Sequence, residues 1–233
     1  MSPIRGQVGE DLPASGYPWA GPVRSGVIRP GGLVPGGLSA AATTGRTPVV
    51  AVGSNASPEV LRRKLADHLS PGIPIAPAVV DDLMVGHSAH VSARGYVAAA
   101  PGRVEGASAP VAVCWFDEEQ LAALDATEPN YRRIVLPGGM PCRLPAPAAT
   151  GGAAPDPADR VDGAQVYDSV HGVLGEDGRV LPLRDQAGVL AWLAERLPPG
   201  TVPQDHAALA DARCREAVRE QIALLGLRVR PAL

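Results

Sequence analysis

The chain has 233 residues, 45% of them apolar, and a formal net charge of −3. That length and apolar content suffice for one ordinary domain, with or without a tail. The near-neutral balance, with no basic stripe and no nucleic-acid-binding motif, argues against nucleic acid as a partner. No apolar run is long enough to span a bilayer, and no basic amphipathic helix that could lie on a membrane is present. The first residues, Met1 to Asp11, lack the apolar stretch of a secretion signal, so a cytoplasmic location is expected. The three cysteines, Cys114, Cys142 and Cys214, are odd in number and far apart. They read as reduced thiols, which fits that compartment. Alanine, glycine and arginine are abundant, and Lys64 is the sole lysine among 21 basic residues. This is the bias of a GC-rich, bacterial genome.

Residues 1–46 read as a Gly/Pro-rich arm, as in Arg29-Pro-Gly-Gly-Leu-Val-Pro-Gly-Gly37, without persistent periodicity. Tyr17, Trp19, Val27, Ile28 and Leu33 make it more apolar than a free linker requires. An arm extended across the domain and a disordered tail both fit. The domain proper spans 47–233. A first strand over 48–52 runs into a helix over 57–69, opened by Ser57-Pro58. Short strands follow at 73–76, 79–85, 88–93 and 95–100, broken by glycine and by Pro101-Gly102. The strand at 109–116 alternates Val111, Val113 and Trp115. Asp117 starts a helix over 118–128, with Gln120 completing a capping box and Pro129 ending it. Strands at 130–136 and 140–144 flank a Pro137-Gly138-Gly139 turn. Residues 146–162 form a low-complexity Ala/Gly/Pro/Asp loop. Strand character returns at 164–170 and 172–183, with a hairpin turn at Gly175 to Gly178. Two helices, 185–197 and 207–225, close the chain. Irregular strand–helix order argues for an α+β fold with a curved, barrel-like sheet and flanking helices, not a doubly wound one.

Two segments carry candidate chemistry. A strand that turns through Gly53-Ser54-Asn55 into a helix presents backbone N–H groups, a hydroxyl and an amide at one point. These are donors for a small carboxylate or a polarised carbonyl. The plainer account is a permissive glycine turn followed by a helix cap. Glu128 ends its helix three residues after Asp125, where the macrodipole disfavours carboxylates. On one face, the like charges would raise the pKa of one of them, toward the range of a general base. The plainer account is a solvated helix end neutralised by Arg132 and Arg133. His87 and His90 have a metal-ligand spacing, but on a strand such residues point to opposite faces, so no metal site is expected.

Together, Val-Ala-Val-Gly-Ser-Asn-Ala-Ser-Pro58 and Phe-Asp-Glu-Glu-Gln-Leu-Ala-Ala-Leu-Asp-Ala-Thr-Glu-Pro-Asn-Tyr-Arg-Arg133 resemble the signatures of the γ-glutamylcyclotransferase-like family. The resemblance runs from about residue 48 to 183. It implies a small mixed barrel with flanking helices. It implies a cyclotransferase that releases an amine from a γ-glutamyl or related amide as 5-oxoproline forms, without metal or other cofactor. Glu128 falls on the family's catalytic glutamate. Val52, Gly53 and Ser54, with the adjoining Asn55, fall on its substrate loop, and Tyr167 on a substrate-contacting tyrosine. The sequence departs from the pattern twice: Val52 replaces the loop tyrosine, and Pro129 replaces the glycine after the glutamate. Tyr17 or Tyr96 would have to supply the missing phenol from another direction. A non-catalytic binding module on the same fold is the alternative. The oligomeric state is left open.

Overall fold

The computed structural model describes residues 12–145, 160–203, 205–230 and 232–233. Its strands are β1 (Gly26–Arg29), β2 (Gly32–Pro35), β3 (Thr47–Ala51), β4 (Ile73–Val91), β5 (Val97–Phe116), β6 (Tyr131–Val135), β7 (Cys142–Arg143), β8 (Gln165–Ser169), β9 (Val173–Glu176), β10 (Arg179–Val180) and β11 (Arg228–Val229). Its helices are α1 (Ala40–Thr43), α2 (Pro58–Lys64), α3 (Glu118–Asp125), α4 (Gln186–Arg196), α5 (His206–Leu209) and α6 (Ala212–Leu224). Among the described residues the strands join along the path β10-β9-β4-β5-β3-β8-β6. All pairs are antiparallel except β3 with β8. The end strands of the path do not pair with each other, so the sheet is not closed. The fold is α+β. Among the described residues no helix is long and apolar enough to cross a membrane.

Strand β3 lies between β5 and β8, and this explains its unbroken apolar run. Val49 packs with Leu61, Ile73, Phe116 and Leu124 on one face. Val50 packs with Val80, Val113, Trp115 and Val166 on the other. Each such fully buried side chain contributes roughly 1.5–3 kcal/mol of transfer free energy. A third cluster joins Val91 and Val97 to Leu193, Val218 and Ile222 of α4 and α6.

Several boundaries differ from the sequence expectation. The short pieces expected between 73 and 116 are two long strands, β4 and β5, paired from Ile75↔Cys114 to Val91↔Val97. Proline removes one donor each at Pro77, Pro101 and Pro110, while neighbouring residues keep the ladder. The breaks become register shifts, between Asp81 and Leu83 and between His87 and Val91. Helix α2 ends at Lys64, followed by a 3-10 turn at Ala66–His68. The last helix is split into α5 and α6, because the Asp211 carboxylate caps α6 by accepting from the N–H groups of Arg213 and Cys214.

The capping box is present: Gln120 N–H donates to Asp117 Oδ1, and Asp117 N–H to Gln120 Oε1. Yet α3 ends at Asp125, short of the expected 128. Proline disfavours the helical region for the residue before it, so Pro129 pushes Glu128 off the helix. Glu128 therefore stands on the loop between α3 and β6, not on a helix face with Asp125.

Part of the arm is built into the sheet. β1 and β2 form a hairpin, and β1 pairs with β4 from Gly26↔Ile75 to Ile28↔Ile73. Ile28 and Tyr17 are buried. The arm's residues 1–11, and most of the expected 146–162 loop, lie outside the described residues.

Candidate functional site

Topology brings the two candidate segments to one edge of the sheet. β8 runs parallel to β3, and β6 runs antiparallel to β8 with Tyr131 opposite Ser169. The C-terminal ends of β3 and β8 and the N-terminal end of β6 therefore share an edge. The Gly53-Ser54-Asn55 turn leaves β3 there, and the Glu128 loop enters β6 there. A cavity of about 550 Å³ opens between them. Val52, Gly53, Ser54, Asn55, Glu128 and Tyr167, all singled out in the sequence, line it.

Glu128 is held by two side chains on one oxygen. Asn55 Nδ2 donates to Oε1 at 3.0 Å, and Lys64 Nζ donates to the same Oε1 at 2.5 Å. Lys64 Nζ also donates to Asn55 Oδ1 at 2.9 Å, closing a triangle. The Lys64 and Glu128 side chains are only 12% and 13% exposed, so solvent screens this pair far less than a surface one. Lys64 reaches the site because α2, capped by Ser57 and opened by Pro58, carries it one helix length from the turn.

Asp125 does not crowd Glu128. Its carboxylate is gripped by Arg133, through Nε at 2.9 Å and a second guanidinium nitrogen at 2.8 Å. It also accepts from the Tyr167 hydroxyl at 2.7 Å. The Arg133 hydrogen bonds hold Asp125 below its ordinary pKa, with a smaller contribution from Tyr167. The expected like-charge pair is thus absent: the two carboxylates have separate cationic partners. Tyr167 lines the cavity with its hydroxyl engaged by Asp125, and burial together with that carboxylate pushes its pKa up.

The phenol missing at Val52 is supplied by the arm. Tyr17 Oη accepts the Ala99 N–H at 2.9 Å. Burial, foremost, raises the Tyr17 pKa and keeps the phenol protonated. A Cβ at Gly53 would stand 2.6 Å from Tyr17 Oη, so this close approach requires glycine. Ala99 also accepts from Tyr131 Oη at 2.9 Å, which places a second phenol beside the first. Tyr17 stacks on Tyr96 with ring centroids 4.3 Å apart, and Trp19 meets both edge-on. These aromatic residues line the cavity wall.

His90 lines the cavity as well. Its Nδ1 shares a hydrogen bond with Ser88 Oγ at 2.6 Å, and its buried Nε2 has no partner among the described residues. His87 lies elsewhere, with Nε2 accepting the Arg184 N–H at 2.9 Å. Burial lowers the pKa of His87 to about 4 and of His90 to about 3, so both rings are neutral at pH 7. Among the described residues no cluster of three or more His, Cys, Asp or Glu is placed to hold a metal ion.

Three contributors were given no role at this site from the sequence: Lys64, Tyr131 and His90, the last weighed only as a metal ligand. Lys64 had a signal, since it is the sole lysine in an arginine-rich chain. Tyr131 lies within the quoted signature and His90 within the His87/His90 pair, but their place in this cavity depends on which strands meet at this edge.

No protein-family model and no curated protein matches the chain. Solved structures similar to part of it include two. One is an uncharacterized protein, loc79017, from Homo sapiens, at 14% identity and a TM-score of 0.38, covering 54% of this chain and 68% of that one. The other is At3g28950.1 from Arabidopsis thaliana, at 17% identity and a TM-score of 0.40, covering 64% and 76%.

Proposed function

We propose that the protein is a γ-glutamylcyclotransferase-like enzyme, with that family's curved, barrel-like variant of the α+β fold. It would release an amine from a γ-glutamyl-type amide by intramolecular lactam formation. The observation that carries the reading is the direct hydrogen bond between Asn55 of the Gly-Ser-Asn turn and Glu128, inside one cavity. The two segments that resemble the family's substrate loop and catalytic glutamate thus meet. In this reading the substrate's α-amino group, as the free amine, attacks the side-chain carbonyl carbon. Glu128 takes the proton that the attacking nitrogen loses. The oxyanion accepts from the Tyr17 hydroxyl, whose oxygen is already polarised by the Ala99 N–H. Collapse breaks the bond to the departing nitrogen, to which Glu128 returns the proton. The products are 5-oxoproline and a free amine. Holding amine and carbonyl of one molecule in contact supplies much of the rate.

The test is a screen of γ-glutamyl dipeptides and γ-glutamyl amides for 5-oxoproline release. Glu128→Gln should lower turnover by about 10²-fold or more while the circular dichroism spectrum stays unchanged. Full turnover in that variant would refute the base assignment. A second reading, a binding module for small molecules or protein segments, is favoured by one observation. Lys64 already sits on Glu128, and a carboxylate held by a cation serves charge recognition as well as proton transfer. Under that reading no substrate in the screen turns over.

A further inference from the structure

The cavity is larger than a γ-glutamyl unit needs. At roughly 30 Å³ for each water-sized group, as in a liquid, the roughly ten heavy atoms of a glutamine-sized unit fill at most about 300 Å³. The cavity holds about 550 Å³, which leaves space for a second group. Tyr17 links the two ends. Its hydroxyl lies at the Gly53 turn, while its ring stacks on Tyr96 and meets Trp19 edge-on. Trp19 and Tyr96 are half-buried and the adjoining Ala93 is exposed, so the aromatic end is the mouth. Trp19 is held there against its backbone preference. Its φ of 55° lies in the left-handed region, which a large side chain rarely adopts. Its indole N–H donates to the Pro13 carbonyl at 2.8 Å, and the Arg94 guanidinium lies 5.3 Å over its ring. Such a conformation persists only where the surroundings over-determine it, so the wall is in place before a ligand arrives. Charge narrows the choice of ligand. Among the described residues that line the cavity, Glu128 is the sole acid, and it stands at the turn end, paired with Lys64. The described residues of the mouth include the Arg94 cation and no carboxylate.

We propose that this mouth is the subsite for the departing amine and selects amines that carry a neutral aromatic group, with Trp19 and Tyr96 as its walls and Arg94 turning away cationic tails. The inference rests on the cyclotransferase reading and names the leaving half of its substrate. A carbonyl whose oxygen meets the Tyr17 hydroxyl carries its nitrogen substituent along the Tyr17 ring, toward Trp19. A flat ring there gains edge and face contacts with both walls, which a saturated group of the same size does not. A tail with a positive charge meets Arg94 and gains no opposite charge in exchange.

Three amides test it: γ-L-glutamyl benzylamide, its saturated counterpart γ-L-glutamyl cyclohexylmethylamide, and the γ-L-glutamyl amide of 1,4-diaminobutane, whose tail is cationic. Initial rates of 5-oxoproline release give kcat/KM for each. The wild-type protein should favour the benzylamide over the cyclohexylmethylamide by about twofold to tenfold, the worth of aromatic pairing beyond burial. It should favour the benzylamide over the cationic amide by about tenfold or more. Trp19→Leu keeps apolar bulk and removes the ring, so it should bring the benzylamide down to the level of the cyclohexylmethylamide. Arg94→Gln should raise the cationic amide relative to the other two. Equal wild-type rates on the benzyl and cyclohexylmethyl amides would overturn the proposal. So would an equal loss on all three amides in Trp19→Leu, which would mark Trp19 as a brace for Tyr17. The wild-type comparison stands even if either variant fails to fold. Where no amide turns over, all three stay intact and calorimetry reads their affinities in the same order. Aromatic preference without turnover keeps the subsite and sinks the cyclotransferase; turnover without the preference does the reverse; neither binding nor turnover overturns both.

Discussion

The contact between Gly53 and Tyr17 makes the arm part of the site, and Gly53→Ala tests this directly. The new methyl would lie 2.6 Å from Tyr17 Oη and 3.1 Å from the Ala99 side chain. Ordinary contact needs about 3.4 Å, so the phenol oxygen must retreat by about 0.8 Å. A retreat of that size breaks the 2.9 Å hydrogen bond from the Ala99 N–H and leaves a buried donor unpaired. Overpacking of this kind costs about 1–3 kcal/mol, and an unpaired buried donor about 1–3 kcal/mol. The single variant should therefore lose about 2–6 kcal/mol of unfolding free energy in a urea titration. Tyr17→Phe removes the struck oxygen and should cost about 1–2 kcal/mol alone, by orphaning the same Ala99 donor. Both variants lose that one hydrogen bond, so the double variant should be more stable than the sum predicts, by about 1–2 kcal/mol. Additive losses would mean that Tyr17 does not occupy this position, and the assignment of its phenol to the site would fall.

Asp125→Asn should leave the acid limb of any kcat/KM profile in place, since Arg133 and not Glu128 faces that carboxylate; a shift of the limb would restore the like-charge pair. The same variant should lose no more than about 1 kcal/mol of stability at pH 7, because the Asp125 side chain is 39% exposed and solvent screens it. Asp125 has a depressed folded pKa, so its contribution is present above the unfolded value, about 3.9, and vanishes as the pH falls below it. The buried histidines act in a higher window. The unfolded chain takes up protons near 6.5, whereas folded His87 waits until about 4 and His90 until about 3. Stability should be full above about 6.5 and then fall by up to about 1.4 kcal/mol per histidine per pH unit. Ring-proton resonances of either residue titrating near 6.5 in the folded protein would contradict this. With a thiol reagent, Cys214 should react first and Cys114 and Cys142 only on unfolding. Burial seals both slow thiols and raises the Cys142 pKa to about 11; three fast thiols would refute the packing.

What the sequence determined by itself were the features set within a few residues. Asp117 and Gln120 cap α3 because both halves of the box lie in one turn. Ser57-Pro58 starts α2, and Asp177-Gly178, both at positive φ, turns β9 into β10. The two candidate segments, Gly53 to Asn55 and Glu128, were legible as motifs, but their meeting was not. That depends on β8 lying parallel to β3 with β6 beside it, a pairing that no local pattern encodes. Tertiary structure also decided where the strand pieces between 73 and 116 merged, since cross-strand hydrogen bonds carried the ladder past single prolines and glycines. It decided the partners of the two carboxylates. Asp125 and Glu128 are close in sequence, yet Pro129 turned the second off the helix, and each met a cation from a different element. It placed Tyr17, whose segment shows no periodicity, against Gly53, where only the absence of a side chain admits the phenol. Local chemistry sets which backbone conformations a segment prefers. Which side chains share a cavity is set by strand order, and strand order is a property of the whole chain.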